Sequence, residues 1–173
     1  MRKAEAFGMF GLVLVMAAAG ARAGSSGASS LQEITQEGLW RIVVPAAAGW
    51  VDAGFDVEEG DVFLIRAEGE ITLQRGNPVA RCGPDGLDLR TVQQPILDLN
   101  LGALIGKVAQ LISVRIDEDT GEEIRDEILS LFPVGSGGRV VMPIRGRLFL
   151  GINESVVKDN GGEFAVVAIR ISR

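Results

Sequence analysis

The chain has 173 residues, with 17 Lys or Arg, 23 Asp or Glu, a single Cys and neither His nor Tyr, for a formal net charge of −6. Without imidazole there is no Ser-His-Asp or Cys-His nucleophile and no His-ligated zinc, iron or copper, and one thiol excludes a Cys₄ zinc site, a C-x-x-C redox pair and an intramolecular disulfide. The remaining chemistry is oxygen, which suits a hard cation such as Ca²⁺, while an acidic chain with only seven Phe and two Trp is a poor surface for nucleic acid.

The first segment carries the marks of export. Arg2 and Lys3 form a positive end, Phe7 to Gly20 is nearly all apolar, and Ala21-Arg22-Ala23 places small residues where signal peptidase reads them. The expectation is a signal peptide over residues 1–23. The apolar run of about 14 residues is short of the roughly 20 needed to span a bilayer as a helix, so no stable membrane insertion of the mature chain is expected. No cysteine follows the run to accept a lipid. Localisation is then periplasmic or extracellular. Loss of Arg2, Lys3 and Arg22 against Glu5 deepens the net charge from −6 to −8. About 150 residues remain, the size of one domain with its own core.

Residues 24–36 open on a Gly/Ser/Ala-rich flexible leader, with a capping-box spacing from Ser30 to Glu33 that predicts one helical turn over Leu31 to Gln36. A single domain is expected over residues 37–173. From Leu39 onward, short apolar runs alternate with Gly, Pro, Asn and Asp clusters: Leu39–Val44, Trp50–Val57, Asp61–Ala67, Glu70–Leu73, Leu101–Val108, Leu111–Ile116, Ile128–Phe132, Arg139–Met142, Arg147–Ile152 and Phe164–Ile171. Their length and spacing predict an all-β, antiparallel β-sandwich. Phe164 to Ile169 is apolar at every position, which predicts a central strand covered on both faces. Trp40 and Trp50, at strand positions among apolar neighbours, are expected in the core. Cys82 lies in a Gly/Pro loop and reads as a small apolar group, a free thiol or an intermolecular partner.

Two acidic loops invite comparison with calcium sites. In Asp117-Glu118-Asp119-Thr120-Gly121-Glu122-Glu123 the glycine is fifth and Ile128 stands where an EF-hand has its bidentate Glu, so this stretch reads as a solvated hairpin turn. Asn153-Glu154 and Asp159-Asn160-Gly161-Gly162 place up to four side-chain oxygens on one loop between two strands. Ordinary β-turns use the same residues, so composition alone favours a turn over a Ca²⁺ loop.

Gly49-Trp50-Val51-Asp52-Ala53-Gly54, Gly60-Asp61, Ala67-Glu68-Gly69, Gly83-Pro84-Asp85-Gly86, Leu101 to Lys107, Phe132-Pro133-Val134-Gly135, Gly146 to Glu154 and Asp159 to Phe164 follow one another in an order that resembles the PA-IL-like bacterial galactose-binding lectin family, over about residues 43–171. The resemblance implies a jelly-roll, galactose-binding-like β-sandwich without enzymatic activity. It implies Ca²⁺ held by Glu154, Asp159 and Asn160, with Asn153 adjacent and a backbone carbonyl near Leu73, and carbohydrate as the partner. Glu154 and Asn160, with Asp88 and Arg90 in the stretch after the Gly-Pro-x-Gly turn, become the candidate sugar-contacting residues. This chain has Glu154 where the family has Asp, and no histidine after that turn, so galactose specificity does not carry over. Residues 113–130 read as an insertion. The expectation is an exported calcium-dependent carbohydrate-binding domain, with a homo-oligomer expected because lectins gain strength from multivalency. The alternative is a structural or adhesive envelope sandwich without sugar binding, with or without a stabilising calcium. A glycosidase would need a distinguished carboxylate pair, and none stands out.

Overall fold

The computed structural model describes residues 36–171. The expected signal peptide, the leader and all of the expected helical turn except Gln36 lie outside the described residues. Strand β1 (Gln36–Pro45) pairs antiparallel with β9 (Gly161–Ile171), and β9 with β3 (Val62–Thr72). The other edge of β3 is shared by β4 (Arg81–Cys82) and β7 (Gly137–Val141). The second sheet has four strands in the order β2 (Trp50–Val57), β8 (Gly146–Ile152), β5 (Leu104–Ile116) and β6 (Glu123–Pro133). The architecture is the expected all-β antiparallel sandwich. Among the described residues no helix is long and apolar enough to cross a membrane.

Alternation decides which face of each strand turns inward. On β2, Ala53, Phe55 and Val57 are buried while Asp52, Gly54 and Asp56 face out, and on β8 Leu148, Leu150 and Ile152 are buried. Trp40 from β1 stacks on Phe55 from β2 with ring centroids 3.9 Å apart, and Phe55 lies 5.5 Å from Phe63 of β3. Three rings from three strands therefore join the two sheets, with each aromatic pair contributing about 1 kcal/mol beyond its burial.

Several sequence expectations need correction. β9 is central, but only one of its faces is covered: Phe164, Val166 and Ala168 are buried, Ala165 is exposed, and Val167 and Ile169 are half-buried. Trp50 lies outside the core. It pairs with Gly151 on the outer face of the second sheet, its ring covers that glycine, and the Lys107 ammonium sits 4.6 Å from its centroid and 4.7 Å from that of Phe149. This cation–π setting holds an apolar ring at a half-exposed position, and burial lowers the Lys107 pKa from its ordinary value. The runs Glu70–Leu73 and Leu111–Ile116 are continuations of β3 and β5 rather than separate strands.

β5 and β6 form one long hairpin, with a bulge between Leu111 and Ser113. At its tip Asp117 Oδ1 accepts from the backbone N–H groups of Asp119 (3.0 Å) and Thr120 (2.9 Å), and Gly121 takes φ +73°, so the acidic run is the turn its composition predicts. At its base Gly106 faces Phe132 across the ladder, and the ring occupies the space a Cβ would need. Gly106→Ala is expected to destabilise the domain by about 2 kcal/mol through overpacking, and Phe132→Leu in the same chain to recover about half of that, read from urea unfolding midpoints.

Candidate functional site

Three connections meet at the end of the sandwich where β3 and β8 finish and β9 begins. They are the β3–β4 turn through Arg75, the long loop between β4 and β5, and the β8–β9 loop from Asn153 to Asn160. Buried amides organise the long loop. Gln94 Nε2 donates to the carbonyls of Ile96 (2.9 Å), Leu97 (3.2 Å) and Leu99 (2.6 Å), while its Oε1 accepts from Thr91 N–H (3.0 Å). Asn153 is wholly buried. Its Oδ1 accepts from Ile96 N–H (2.8 Å), and its Nδ2 donates to the carbonyls of Ile96 (3.0 Å) and Asn100 (3.1 Å). The backbone of Asn153 pairs with Ala103 and Gly102 as well. Its side chain is thus occupied in pinning the long loop to the end of β8, and acts as a positioning group.

Asn160 closes the other end of the β8–β9 loop and is also wholly buried. Its Nδ2 donates to Ala46 O (3.2 Å) and to Glu154 Oε2 (2.6 Å), two acceptors that fix which amide atom is nitrogen. Its Oδ1 is buried with no hydrogen-bond partner. Arg75 wraps this point: its backbone N–H donates to Asp159 O (2.9 Å) and its Nε to Asn160 O (2.9 Å). Burial pushes the Glu154 carboxyl above its ordinary 4.5; the Asn160 hydrogen bond opposes this, and the neighbouring Asp159 carboxylate adds to it.

Leu73, 6 % exposed, packs with Cys82 around Gly102, which has φ +78° and leaves no room for a Cβ. The Cys82 thiol is pushed up to about 11 by burial, then by the charges of Glu154 and Glu70, so it is a buried apolar group beneath the site. Glu154, Asp159 and Asn160 come together, with Leu73 on the segment that leads to Arg75. Asp88 and Arg90 do not join them. Arg90 lines a separate shallow cavity of about 270 Å³ with Asp85, Asp98 and Asn100, and Asp88 is exposed on the same loop and does not line it. Arg75 and Gln94 carry no sequence signal, because each acts only through loops that tertiary folding brings together.

Among the described residues no group of three or more His, Cys, Asp or Glu side chains forms a metal cage. The oxygens at the β8–β9 loop are instead two carboxylates, an amide and backbone carbonyls, a donor set of the kind hard cations accept. Because Glu154 titrates above its ordinary value in the folded state, the native protein retains a proton that the unfolded chain loses as pH rises past 4.5. Stability of the metal-free protein therefore falls with rising pH through that window. Glu154→Gln is expected to remove this slope and to raise the urea midpoint at pH 7 in EDTA relative to the parent, with little change at pH 4.

No family model matches the chain, and no curated protein matches it. Among solved structures, the N-terminal domain of EclA, a PllA-like lectin, superposes on this chain with a TM-score of 0.51 and 26% identity, over 76% of this chain and 95% of that one. The chain is therefore similar in fold to a lectin domain.

Proposed function

We propose that this protein is an exported carbohydrate-binding domain whose sugar site is organised by Ca²⁺ at the β8–β9 loop. The observation that carries the reading is the buried Asn160 Oδ1, which has no donor to satisfy it and lies beside Glu154 and Asp159. A buried amide oxygen left in this state costs about 1–3 kcal/mol, which a cation would relieve. Asn160 Oδ1, the carboxylates of Glu154 and Asp159, and the backbone carbonyl near Leu73 would hold the ion. Bound there, Ca²⁺ supplies open coordination positions for vicinal sugar hydroxyls.

The protein's own groups do the remaining work. Arg75 fixes the backbone of Asp159 and Asn160, and Asn153 holds the long loop beside them. Glu154 must be ionised and must release the Asn160 amide to bind an ion, so affinity falls as pH drops toward the raised Glu154 value. The similarity to a lectin domain supports binding rather than catalysis. The hydrogen bond from Asn160 Nδ2 to Glu154 Oε2 supports a second reading, a structural or adhesive envelope sandwich, because that bond closes the loop without an ion.

Calorimetric titration with Ca²⁺ after EDTA treatment is expected to give heat and raise the melting temperature, by about 2.7 kcal/mol of stability at 100 times Kd. A glycan array is expected to show binding with Ca²⁺ and none in EDTA. Asp159→Ala with Asn160→Ala should abolish both, provided circular dichroism shows the fold retained. Absence of both heat and thermal shift overturns the calcium site, and a silent array with bound Ca²⁺ leaves the structural module as the function.

A further inference from the structure

The outer face of the first sheet has no part in the proposed sugar site, and the strand registers fix which side chains stand on it. Three rows cross it. In the first, Leu39 of β1 pairs with Ile169 of β9, Ile169 with Leu64 of β3, and Leu64 with Arg139 of β7. In the second, Arg41 pairs with Val167, Val167 with Arg66, and Arg66 with Gly137. In the third, Val43 pairs with Ala165 and Ala165 with Glu68. The alternate residues, such as Ile42, Phe63, Ile65 and Val166, are buried, so these rows face outward.

Two properties set this face apart. It is apolar and uncovered: Leu39 is 44% exposed, Val43 52%, Leu64 39%, and Val141, on the same side of β7 as Arg139, 54%. An exposed apolar patch of this kind marks a protein or membrane interaction site. It is also cationic on a chain of net charge −6, because Arg41, Arg66 and Arg139 stand there against Glu68 alone. Among the described residues none of these three arginines makes an ion pair or a side-chain hydrogen bond, whereas Arg81, Arg125, Arg147 and Arg170 each lie beside a carboxylate. Arg41 and Arg66 are two strands apart, about 10 Å, and Arg139 is one strand beyond Arg66 and displaced along it. Charges so spread suit a surface of many phosphates more than one small anion. The three rows contain no Ser, Thr, Asn or Gln to receive the hydroxyls of a polysaccharide. Leu39, Val43, Leu64 and Val141 instead match the acyl boundary of a bilayer, and arginine stems lie along apolar surface while their heads reach phosphate.

We infer that the outer face of the sheet formed by β1, β9, β3 and β7 docks on the surface of an anionic phospholipid bilayer, lying on it without spanning it. Arg41, Arg66 and Arg139 engage headgroup phosphates, and the apolar residues between them rest against the interfacial zone. The inference uses no residue of the β8–β9 loop and stands whether or not that loop binds Ca²⁺ or sugar.

Cosedimentation of the purified protein with vesicles tests this, in EDTA so that no cation bridges the β8–β9 loop to headgroups. Binding to phosphatidylcholine vesicles with about one third phosphatidylglycerol is expected to be at least about tenfold tighter than to phosphatidylcholine alone, and to weaken with added salt. Arg41→Gln, Arg66→Gln and Arg139→Gln should each cost about fivefold, and the three together should remove the preference. Arg125→Gln takes the same charge from the β5–β6 hairpin and should change binding by less than about twofold. Leu39→Asn with Leu64→Asn should weaken vesicle binding about tenfold at unchanged charge. Circular dichroism confirms that each variant is folded. Equal binding to the two kinds of vesicle, or a loss with Arg125→Gln as large as with Arg66→Gln, overturns the proposal. Binding to dextran sulfate but not to vesicles, unimpaired by the two leucine substitutions, assigns the face to an acidic polysaccharide and overturns it as well.

Discussion

The loop between β8 and β9 hangs between two asparagines that are both wholly out of water, and burial of an amide demands partners for an oxygen and two N–H groups. Asn153 meets that demand in full, with three hydrogen bonds to the backbone of residues 96–100. Asn160 meets half of it. Its two N–H groups are donated, to Ala46 and Glu154, and its oxygen has nothing. The contrast separates architecture from site. One amide fastens the long loop to the sandwich, and the other leaves a buried acceptor without a donor on the loop that carries Glu154 and Asp159. Glu154, drawn inward by the Asn160 amide, is held where its charge is poorly solvated, and this raises its proton affinity.

The opposite end of the sandwich handles buried polarity differently. Asp61, 1 % exposed, accepts from Glu58 N–H (3.0 Å) and lies 3.4 Å from the Arg170 guanidinium. Arg170 in turn donates to Asp56 O (2.8 Å) and covers the rings of Trp40 and Phe63. A charge is matched there by an opposite charge and by aromatic faces, although the buried Arg170 Nε has no hydrogen-bond partner, and removal of either partner would strand the other at a cost of several kcal/mol. The β8–β9 end instead has oxygens crowded on oxygens, with Arg75 Nε spent on a backbone carbonyl and not on a carboxylate.

How much of this was legible in the residues depends on whether an effect is local. Strand class followed from period-2 burial and from Gly, Asn and Asp punctuation, because those patterns act within a few residues. The β8–β9 loop stood out for the same reason: Glu154, Asp159 and Asn160 are close in sequence. Face assignments failed where a neighbour decides. Trp50 looks like a core residue until Gly151, on another strand, gives its ring a place on the outside. β9 looks covered on both faces because its outward residues are apolar, yet in the fold they form a half-exposed surface. Arg75 and Gln94 contact residues brought in by chain topology, and Arg90 diverges from the Asn160 site because the long loop turns it toward Asp85 and Asp98. No local pattern encodes such meetings.

The absence of histidine bears on all of this. A site without imidazole has no side chain whose ordinary pKa lies near neutrality, so its response to pH must come from a displaced carboxylate. Glu154 is that group. Under the proposed function single-site recognition would be weak, since oxygen ligands around a hard cation offer geometry more than affinity, and a shallow end of a sandwich would bury little of a sugar.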